Sequence, residues 1–297
     1  MKEKKFLPHI IAILIMVVWG ASYLSIKVVV DEVHPVMAAF YRFIIAAVIL
    51  FIALKVKYPK AKILKEDRWK MALGGFLGVT AYFFLENYSV LYTSASNVSI
   101  LIASIPVFTL VAQRMIFKER FTTNKVLGVI LSFGGILLIV LSKDDVSLFS
   151  KGTMGDMMAL GAALCWVMYN VVISKLKGQY NSLIITTYQI MWGTVFFLPA
   201  IFFVPITMPS TKAILNILYL AIFCSFIAYI AYIYVLGKLG ATVLTTYINL
   251  QPIISIVLAF FILKEKITLV QGLGCLIIVG GVFLVNRTTN KNVEKLL

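Results

Sequence analysis

The sequence predicts an all-α integral membrane protein in which ten transmembrane helices form two inverted five-helix repeats. Three observations lead to this prediction. Of the 297 residues, 61% are hydrophobic and only 13% are charged, whereas soluble domains are roughly half apolar and a quarter charged. The apolar residues fall in long continuous runs. Segment 95–140 also returns as segment 241–286 at a constant offset of 146 residues, so the chain contains an internal duplication.

Ten apolar runs follow one another along the chain, and each is close to the ~20 residues that cross a bilayer as a helix at ~1.5 Å per residue. The runs are continuous and do not alternate with polar residues, which predicts helices and not the strands of a barrel. The predicted spans lie near 9–30, 36–54, 70–91, 95–117, 125–142, 154–174, 182–204, 213–236, 242–263 and 269–286.

The repeat extends from its well-matched second part to the earlier helices. Trp19 matches Trp166 at an offset of 147, and Tyr88 matches Tyr234 at an offset of 146. The repeated unit therefore contains five helices, residues 1–146 in the first copy and 147–297 in the second. Because five is odd, the second copy enters the membrane from the opposite side, and we expect a pseudo-two-fold axis in the membrane plane.

The distribution of basic residues predicts the orientation. With a cytoplasmic N-terminus, 19 Lys and Arg residues flank the spans on the cytoplasmic side and five flank them on the other side. This asymmetry, with an even number of spans, places both termini in the cytoplasm and the protein in the cytoplasmic membrane. The net charge of +15 is thereby explained by orientation and not by nucleic-acid binding. The first apolar run reaches Val30 without a convincing cleavage site, so we expect a retained first helix.

Four motifs carry a resemblance to a known family: "WGASYLSIK" in the first span, "YTSASNVSILIASIPVFT" leading into the fourth, "KER" and "KEK" after the fourth and ninth, and glycine-rich fifth and tenth spans. Over its whole length the chain resembles the EamA-type branch of the drug/metabolite transporter superfamily. The resemblance implies two inverted five-helix repeats around a central cavity, with the fifth and tenth helices peripheral. It also implies export of small metabolites, often amino acids or related compounds.

The predicted function is that of a secondary transporter that exports small polar metabolites, such as amino acids, by alternating access. Inverted repeats are typical of such transporters, because exchanging the conformations of the two halves converts an outward-open state into an inward-open one. The loop "GxxxxGK[ST]" is absent from the sequence, so ATP does not drive transport directly. The expected partners are a small-molecule substrate, the lipid bilayer and protons as a coupling ion, with no nucleic acid and no obligatory protein partner.

Two other functions stay open. A carrier or flippase of lipid-linked intermediates could use the same fold. A membrane-embedded lipid-modifying enzyme would need clustered His, Asp or Glu residues, yet the two histidines, His9 and His34, lie near span ends. The three cysteines sit in apolar runs without paired spacing. No catalytic residue, metal or cofactor is therefore predicted.

Uncharged candidate site residues lie near two prolines and among the aromatic residues close to polar residues deep in the spans. Pro106 and Pro252 lie near the middle of the fourth and ninth spans, where proline removes a backbone N–H and kinks the helix. Proline is common in membrane helices, but its repetition at one register beside polar residues favours a cavity wall. The candidates for substrate binding near the prolines and elsewhere in the spans are Ser104, Asn249, Gln251, Trp19, Tyr23, Tyr88, Trp166, Tyr232 and Tyr247.

Three charges inside the spans, Lys27, Arg42 and Glu86, complete the predicted site. A charge deep in a span costs roughly 2.5 to 3.5 kcal/mol on insertion scales unless it is paired or hydrated. We therefore expect Glu86 to bridge Lys27 or Arg42 in the empty cavity, which leaves one cation for an anionic substrate group. The alternative is a structural ion pair that ties the first three helices together. The repeat-related positions Ser174, Gln189 and Tyr232 are neutral.

Glycines seven residues apart share one helix face and predict close helix packing. They occur as Gly128 and Gly135 in the fifth span and as Gly274 and Gly281 in the tenth. The Lys-Glu corners at 118–119 and 264–265 are expected to end helices.

Overall fold

The computed structural model describes residues 3–93, 95–118, 122–141, 152–254, 257–258 and 269–294, and the secondary structure in these ranges is helical throughout. Glu119 of the first Lys-Glu corner and the whole second corner, at 264–265, lie outside the described residues. The helices are α1 (Glu3–Val30), α2 (Pro35–Lys57), α3 (Lys65–Gly75), α4 (Tyr82–Tyr92), α5 (Ala95–Ile102), α6 (Ile105–Phe117), α7 (Thr123–Leu141), α8 (Thr153–Ser174), α9 (Ser182–Ile201), α10 (Thr211–Tyr219), α11 (Ala228–Leu239), α12 (Ala241–Thr246) and α13 (Leu269–Glu294).

Five helical stretches are long and apolar enough to cross a membrane, by their length and composition. They are Phe6–Val30, Pro35–Lys57, Thr153–Ser174, Ser182–Ile201 and Thr211–Leu239. The last of these joins α10 to α11 through a π-helical segment, Leu220–Ile227. A second π-helical segment, Phe76–Ala81, joins α3 to α4 in the same way. The architecture is that of a multi-pass helical membrane protein.

Both predicted prolines lie beside an interruption of the helix. Residues 103 and 104 form a turn between α5 and α6, and Pro106 occupies the first turn of α6, where its missing N–H costs no hydrogen bond. In the second half, α12 changes into a 3-10 helix over Tyr247–Leu250, and Pro252 follows in helical residues 251–254. Irregular backbone of this kind is tolerated at membrane depth only where other protein segments or a cavity surround it.

The glycine faces bring α7 and α13 together, as the sequence predicts. A Cβ atom added to Gly135 would lie 2.7 Å from the Gly274 carbonyl oxygen, and one added to Gly281 would lie 2.5 Å from the Gly128 carbonyl oxygen. Real Cβ atoms do not approach other atoms this closely. Gly128, Gly135 and Gly281 are therefore required by the contact between these helices, and their predicted structural role is confirmed.

At the ends of α3 and α8 a buried carboxylate connects the two halves of the chain. The Asp67 side chain is 0% exposed and accepts hydrogen bonds from the Lys70 ammonium at 2.8 Å, the backbone N–H groups of Lys177 and Gly178 at 3.0 and 2.9 Å, and the Tyr180 hydroxyl at 2.9 Å. Burial raises the pKa of Asp67, but these hydrogen bonds outweigh burial and hold the pKa well below its usual range. We call this cluster the Asp67 hub.

Candidate functional site

A small cavity of ≈ 30 Å³ lies at the centre of the protein, between the two halves of the chain. A volume of this size holds one or two water molecules and no metabolite. Residues from α1, α2, α4, α8 and α11 and from the irregular segments near both prolines surround it. They are Trp19, Ser22, Tyr23, Arg42, Tyr82, Phe83, Glu86, Ile102, Ile105, Trp166, Tyr229, Ile248 and Gln251.

Aromatic rings form one wall of this cavity. The repeat-related Trp19 and Trp166 meet edge to face, with ring centroids 5.4 Å apart at 87°. Tyr229 and Tyr232 pack against both tryptophans at centroid distances between 5.2 and 5.8 Å. Edge-to-face packing places the positive ring edge on the negative face of its partner and stabilises such clusters. The wall is therefore preorganised by contacts between the two halves.

The polar atoms of these aromatic residues point to fixed partners. The Trp166 Nε1–H donates to the Tyr232 hydroxyl at 3.0 Å, which donates to Asn170 Oδ1 at 3.0 Å. On the opposite side, the Tyr23 hydroxyl donates to Gln251 Oε1 at 3.1 Å. Because these side chains already have partners, their orientation is set before a ligand arrives.

Arg42 is 3% exposed and is positioned by one hydrogen bond and two aromatic rings. Its Nε–H donates to Ser225 Oγ at 2.6 Å. The guanidinium carbon lies 4.3 Å from the ring centroid of Phe83 and 5.1 Å from that of Phe43. Cation–π contacts stabilise a desolvated guanidinium. They leave the guanidinium N–H donors other than Nε–H available for a carboxylate.

Glu86 lines the same cavity and is 4% exposed. The Tyr82 hydroxyl, one helical turn earlier, donates to its Oε1 atom at 2.8 Å. Within the described part of the chain, Oε2 accepts no hydrogen bond. An unpartnered carboxylate oxygen at this depth is costly, so it is an atom that a ligand donor could satisfy.

The predicted ion pair between Glu86 and Lys27 or Arg42 is wrong for this structure. Glu86 is bonded to Tyr82 and Arg42 to Ser225. Lys27 lies outside the cavity and pairs with Asp31 at 2.9 Å, with the two side chains 42% and 52% exposed. The physical reason is local: Asp31 follows the end of α1 one turn after Lys27, and the two side chains pair there while staying partly exposed.

Several other candidates also lie away from the cavity lining. The Tyr88 hydroxyl contacts His34 Nε2 at 3.3 Å, and the Tyr247 hydroxyl contacts His9 Nδ1 at 2.6 Å. The Ser104 hydroxyl donates to the Leu101 carbonyl oxygen in its own turn. Asn249 is 0% exposed, and its side-chain atoms form no hydrogen bond with the described residues. The structure thus brings together Trp19, Tyr23, Arg42, Glu86, Trp166 and Gln251, with Tyr232 behind the tryptophans.

Tyr82, Phe83 and Tyr229 also belong to the site, and the predicted set omitted them. One of them, Tyr82, could have been found from helical spacing. It precedes Glu86 by four residues and so shares a helix face with a polar residue of the site. Among the described residues, no group of three or more His, Cys, Asp or Glu side chains is placed to hold a metal ion.

The fold and site define a multi-pass helical membrane protein with an enclosed, amphipathic central cavity. A model of the EamA-like transporter family matches the chain twice, over residues 7–141 and 153–287. The chain belongs to the EamA-like transporter family and is a membrane transporter, as the sequence motifs predicted.

Curated relatives cover nearly the whole chain. An uncharacterized transporter of Archaeoglobus fulgidus is 34% identical over 282 residues, which cover 93% of this chain and 96% of the relative. A probable terminal-alkyne amino-acid exporter of Streptantibioticus cattleyicolor is 28% identical over 283 residues, covering 93% and 92%. A solved structure described as "Crystal structure of protein" is similar with a TM-score of 0.75 at 16% identity, covering 97% of this chain and 98% of that one. This last similarity concerns the fold alone.

Proposed function

We propose that this protein is a secondary transporter of the cytoplasmic membrane that exports amino acids or related zwitterionic metabolites by alternating access. The central observation is that Arg42 and Glu86 share one buried cavity without forming an ion pair. A zwitterion satisfies both groups at once: its carboxylate binds the guanidinium, and its ammonium donates to the unpartnered Oε2 atom of Glu86. The aromatic wall accommodates an apolar side chain. The name of the Streptantibioticus relative, an amino-acid exporter, supports this substrate class.

The way in which the helices pair supports two inverted five-helix repeats. Helix α2 packs against α9, α4 against α8, α1 against α11, α6 against α12, and α7 against α13. If the halves exchange, α1 becomes α8, α2 becomes α9, and the segment containing α4 becomes the segment containing α11. The contact of α1 with α11 then becomes the contact of α8 with α4, and the other pairs map onto themselves. This is the pattern that a two-fold axis between ten spans requires.

The size of the cavity requires a conformational change during transport. At ≈ 30 Å³ the cavity is far below the roughly 300–1,000 Å³ of typical ligand pockets. Substrate binding must therefore displace lining residues and move the two halves relative to one another. This requirement is consistent with alternating access, in which the site is open to one side of the membrane at a time.

A substrate screen followed by transport assays tests this function. Amino acids and related compounds are screened for thermal stabilisation of the purified protein, and stabilising compounds are then assayed by counterflow in proteoliposomes. We expect at least one zwitterion to do both. Lys27→Gln provides a matched control, because it removes a cation of the same repeat outside the cavity. Equal stabilisation by the ester and by the free amino acid would contradict recognition of the carboxylate.

Glu86→Gln tests whether the carboxylate also couples transport to protons. Gln can keep the hydrogen bond to Tyr82, so we expect a folded protein whose transport stops or loses its pH dependence. Normal transport at every pH would exclude proton coupling through Glu86. Loss of the folded protein would favour a structural role for this residue.

Cysteine labelling tests the proposed orientation of the ten spans. In a background without Cys165, Cys224 and Cys275, cysteines at Lys60 and Asn292 should be protected from impermeant reagents in intact cells. A cysteine at Asp145 should be labelled, because the charge asymmetry predicts that this position faces outside. The reverse labelling pattern would overturn the topology.

A further inference from the structure

A second and larger cavity lies at the helix ends that the charge asymmetry assigns to the cytoplasm. Its volume is ≈ 440 Å³, within the range of ligand pockets. It is lined by Gln113 and Phe117 of α6, Lys125 of α7, Ser174 of α8 and residues 239–243, where α11 ends and α12 begins. We call this cavity the vestibule. The predicted site includes none of these residues.

The chemistry of the vestibule fits an anionic group. Lys125 lies in its wall, and the Lys175 ammonium lies 5.6 Å from the ring centroid of the wall residue Phe117. Among the described residues that line the vestibule, none is acidic. The Thr242 side chain, on a residue that is 5% exposed, has a hydroxyl without a hydrogen-bond partner in the described chain. Together they offer positive charge and an unsatisfied hydroxyl inside a cavity of ligand size.

The vestibule lies directly below the central cavity along the same helices. Ile105 lines the central cavity and Gln113 lines the vestibule, eight residues later on α6. Trp166 and Ser174 are related in the same way on α8. Eight residues of α-helix correspond to about 12 Å. A metabolite in the vestibule is therefore about one molecular length from the central site.

Buried polar side chains occupy the interval between the two cavities. Thr109 lies midway between Ile105 and Gln113, is 1% exposed, and has a hydroxyl without a partner among the described residues. Asn170 lies midway between Trp166 and Ser174 and is 1% exposed. Residues four apart share one helix face, so each helix presents one polar line from the vestibule to the central cavity. We call Thr109 and Asn170 the polar track.

We infer that the vestibule is a separate, cytoplasmic loading site that binds the carboxylate or phosphate group of a metabolite before it moves along the polar track. The loading role rests on the proposed function, since only a transporter needs it. Lys125 and Lys175 attract the anionic group, and the Thr242 hydroxyl donates a hydrogen bond to it. Thr109 and Asn170 then offer polar contacts in the interval between the two cavities.

Charge-selective thiol labelling tests the vestibule independently of transport. The background protein lacks Cys165, Cys224 and Cys275, carries Thr242→Cys, and is studied in inside-out vesicles. The probes are 2-sulfonatoethyl methanethiosulfonate, an anion, and 2-(trimethylammonium)ethyl methanethiosulfonate, a cation. If the Lys125 ammonium comes within about 6 Å of the thiol, it changes the ratio of their rates by about tenfold in a water-like dielectric. We expect Lys125→Gln to lower the anion-to-cation rate ratio at Thr242→Cys by about this factor.

The matched control is Val56→Cys, an exposed position flanked by Lys55 and Lys57. Its rate ratio should not respond to Lys125→Gln. An unchanged ratio at Thr242→Cys would overturn the loading site. If Thr242→Cys does not insert, Ser174→Cys provides the same measurement from another wall. If Lys125→Gln changes the rate ratio at Thr242→Cys but the protein transports none of the screened compounds, the proposed function is refuted. The anion site in the vestibule would still stand.

Nanodiscs of defined lipid distinguish the two sources of an anionic group. If the ligand is a free metabolite, the labelling rate of Thr242→Cys should be equal in phosphatidylcholine alone and in mixtures with phosphatidylglycerol. Suppression by phosphatidylglycerol would show that a lipid headgroup fills the cavity, and this result would overturn the loading of a soluble metabolite.

Discussion

The central cavity and the vestibule differ in volume, burial and charge. The central cavity is ≈ 30 Å³ and contains a cation and a carboxylate that are both nearly inaccessible. The vestibule is ≈ 440 Å³, and its wall residue Lys125 is only partly buried. Electrostatic interactions weaken as water enters a site. On the proposed function, we therefore expect substrate selection to take place in the tight cavity and the wide one to concentrate anions with little selectivity.

Among these substitutions, Arg42→Gln should have the largest effect on substrate affinity. It removes the cation that we propose binds the substrate carboxylate in a buried site, and a charged hydrogen bond contributes about 1.5–3 kcal/mol. We expect the apparent affinity in counterflow to fall roughly 10- to 100-fold. Arg42→Lys should be intermediate, because Lys keeps the charge and loses the planar donor set. An unchanged affinity in a correctly folded Arg42→Gln protein would place the carboxylate site elsewhere.

Thr109→Val should slow transport by roughly three- to tenfold, since it removes one neutral hydrogen-bonding group from the polar track. Substrate affinity at equilibrium should change little, because Thr109 lines neither cavity. Thr194→Val is the control: Thr194 is also buried, but its hydroxyl is bonded to the Ile190 carbonyl oxygen within α9. Equal rates for both variants would contradict a role of Thr109 in passage between the cavities.

Lys125→Gln should raise the half-saturating substrate concentration by about threefold on the cytoplasmic side only, because one charge in a hydrated site contributes little. The measurement compares inside-out with right-side-out vesicles. An equal change on both sides would show that Lys125 acts on the central cavity and not on loading.

Lys27→Gln should have the smallest effect and leave transport within experimental error. Its ion pair with Asp31 is exposed, and exposed pairs contribute about 0–1 kcal/mol. A loss of activity comparable to that of Arg42→Gln would restore Lys27 to the substrate site.

The sequence predicted those features of the structure that depend on a single property of one residue type. Gly128 and Gly281 had to mark a close helix contact, and they do. The repeat offset also related Trp19 to Trp166, which meet at the cavity. Pairing of buried charges was not predictable, because it depends on side-chain direction. The sequence could not show that Asp31 captures Lys27, or that Ser225, far along the chain, binds Arg42.

The vestibule was not predictable for a related reason. Its wall comes from the ends of five helices, and no short segment carries a signal for it. Ser174 was considered only as the neutral counterpart of Lys27 in the other repeat. Its place on a cavity wall follows from where α6, α7, α11 and α12 end, which the apolar runs locate only to within a few residues.

The Asp67 hub constrains how the halves can move. A buried carboxylate with charged and backbone donors is expensive to separate from them, since each unmade charged hydrogen bond costs several kcal/mol in a buried site. We therefore expect the hub to persist through the transport cycle and to act as a pivot. Spin labels at Leu64 and Asn181, across the hub, should keep a constant distance, while labels at Phe117 and Leu239, across the vestibule, should separate and approach. The motion would then be a rotation about the corner of the protein that contains the Asp67 hub. Helices on one side of this corner could separate without separation of the helices on its other side.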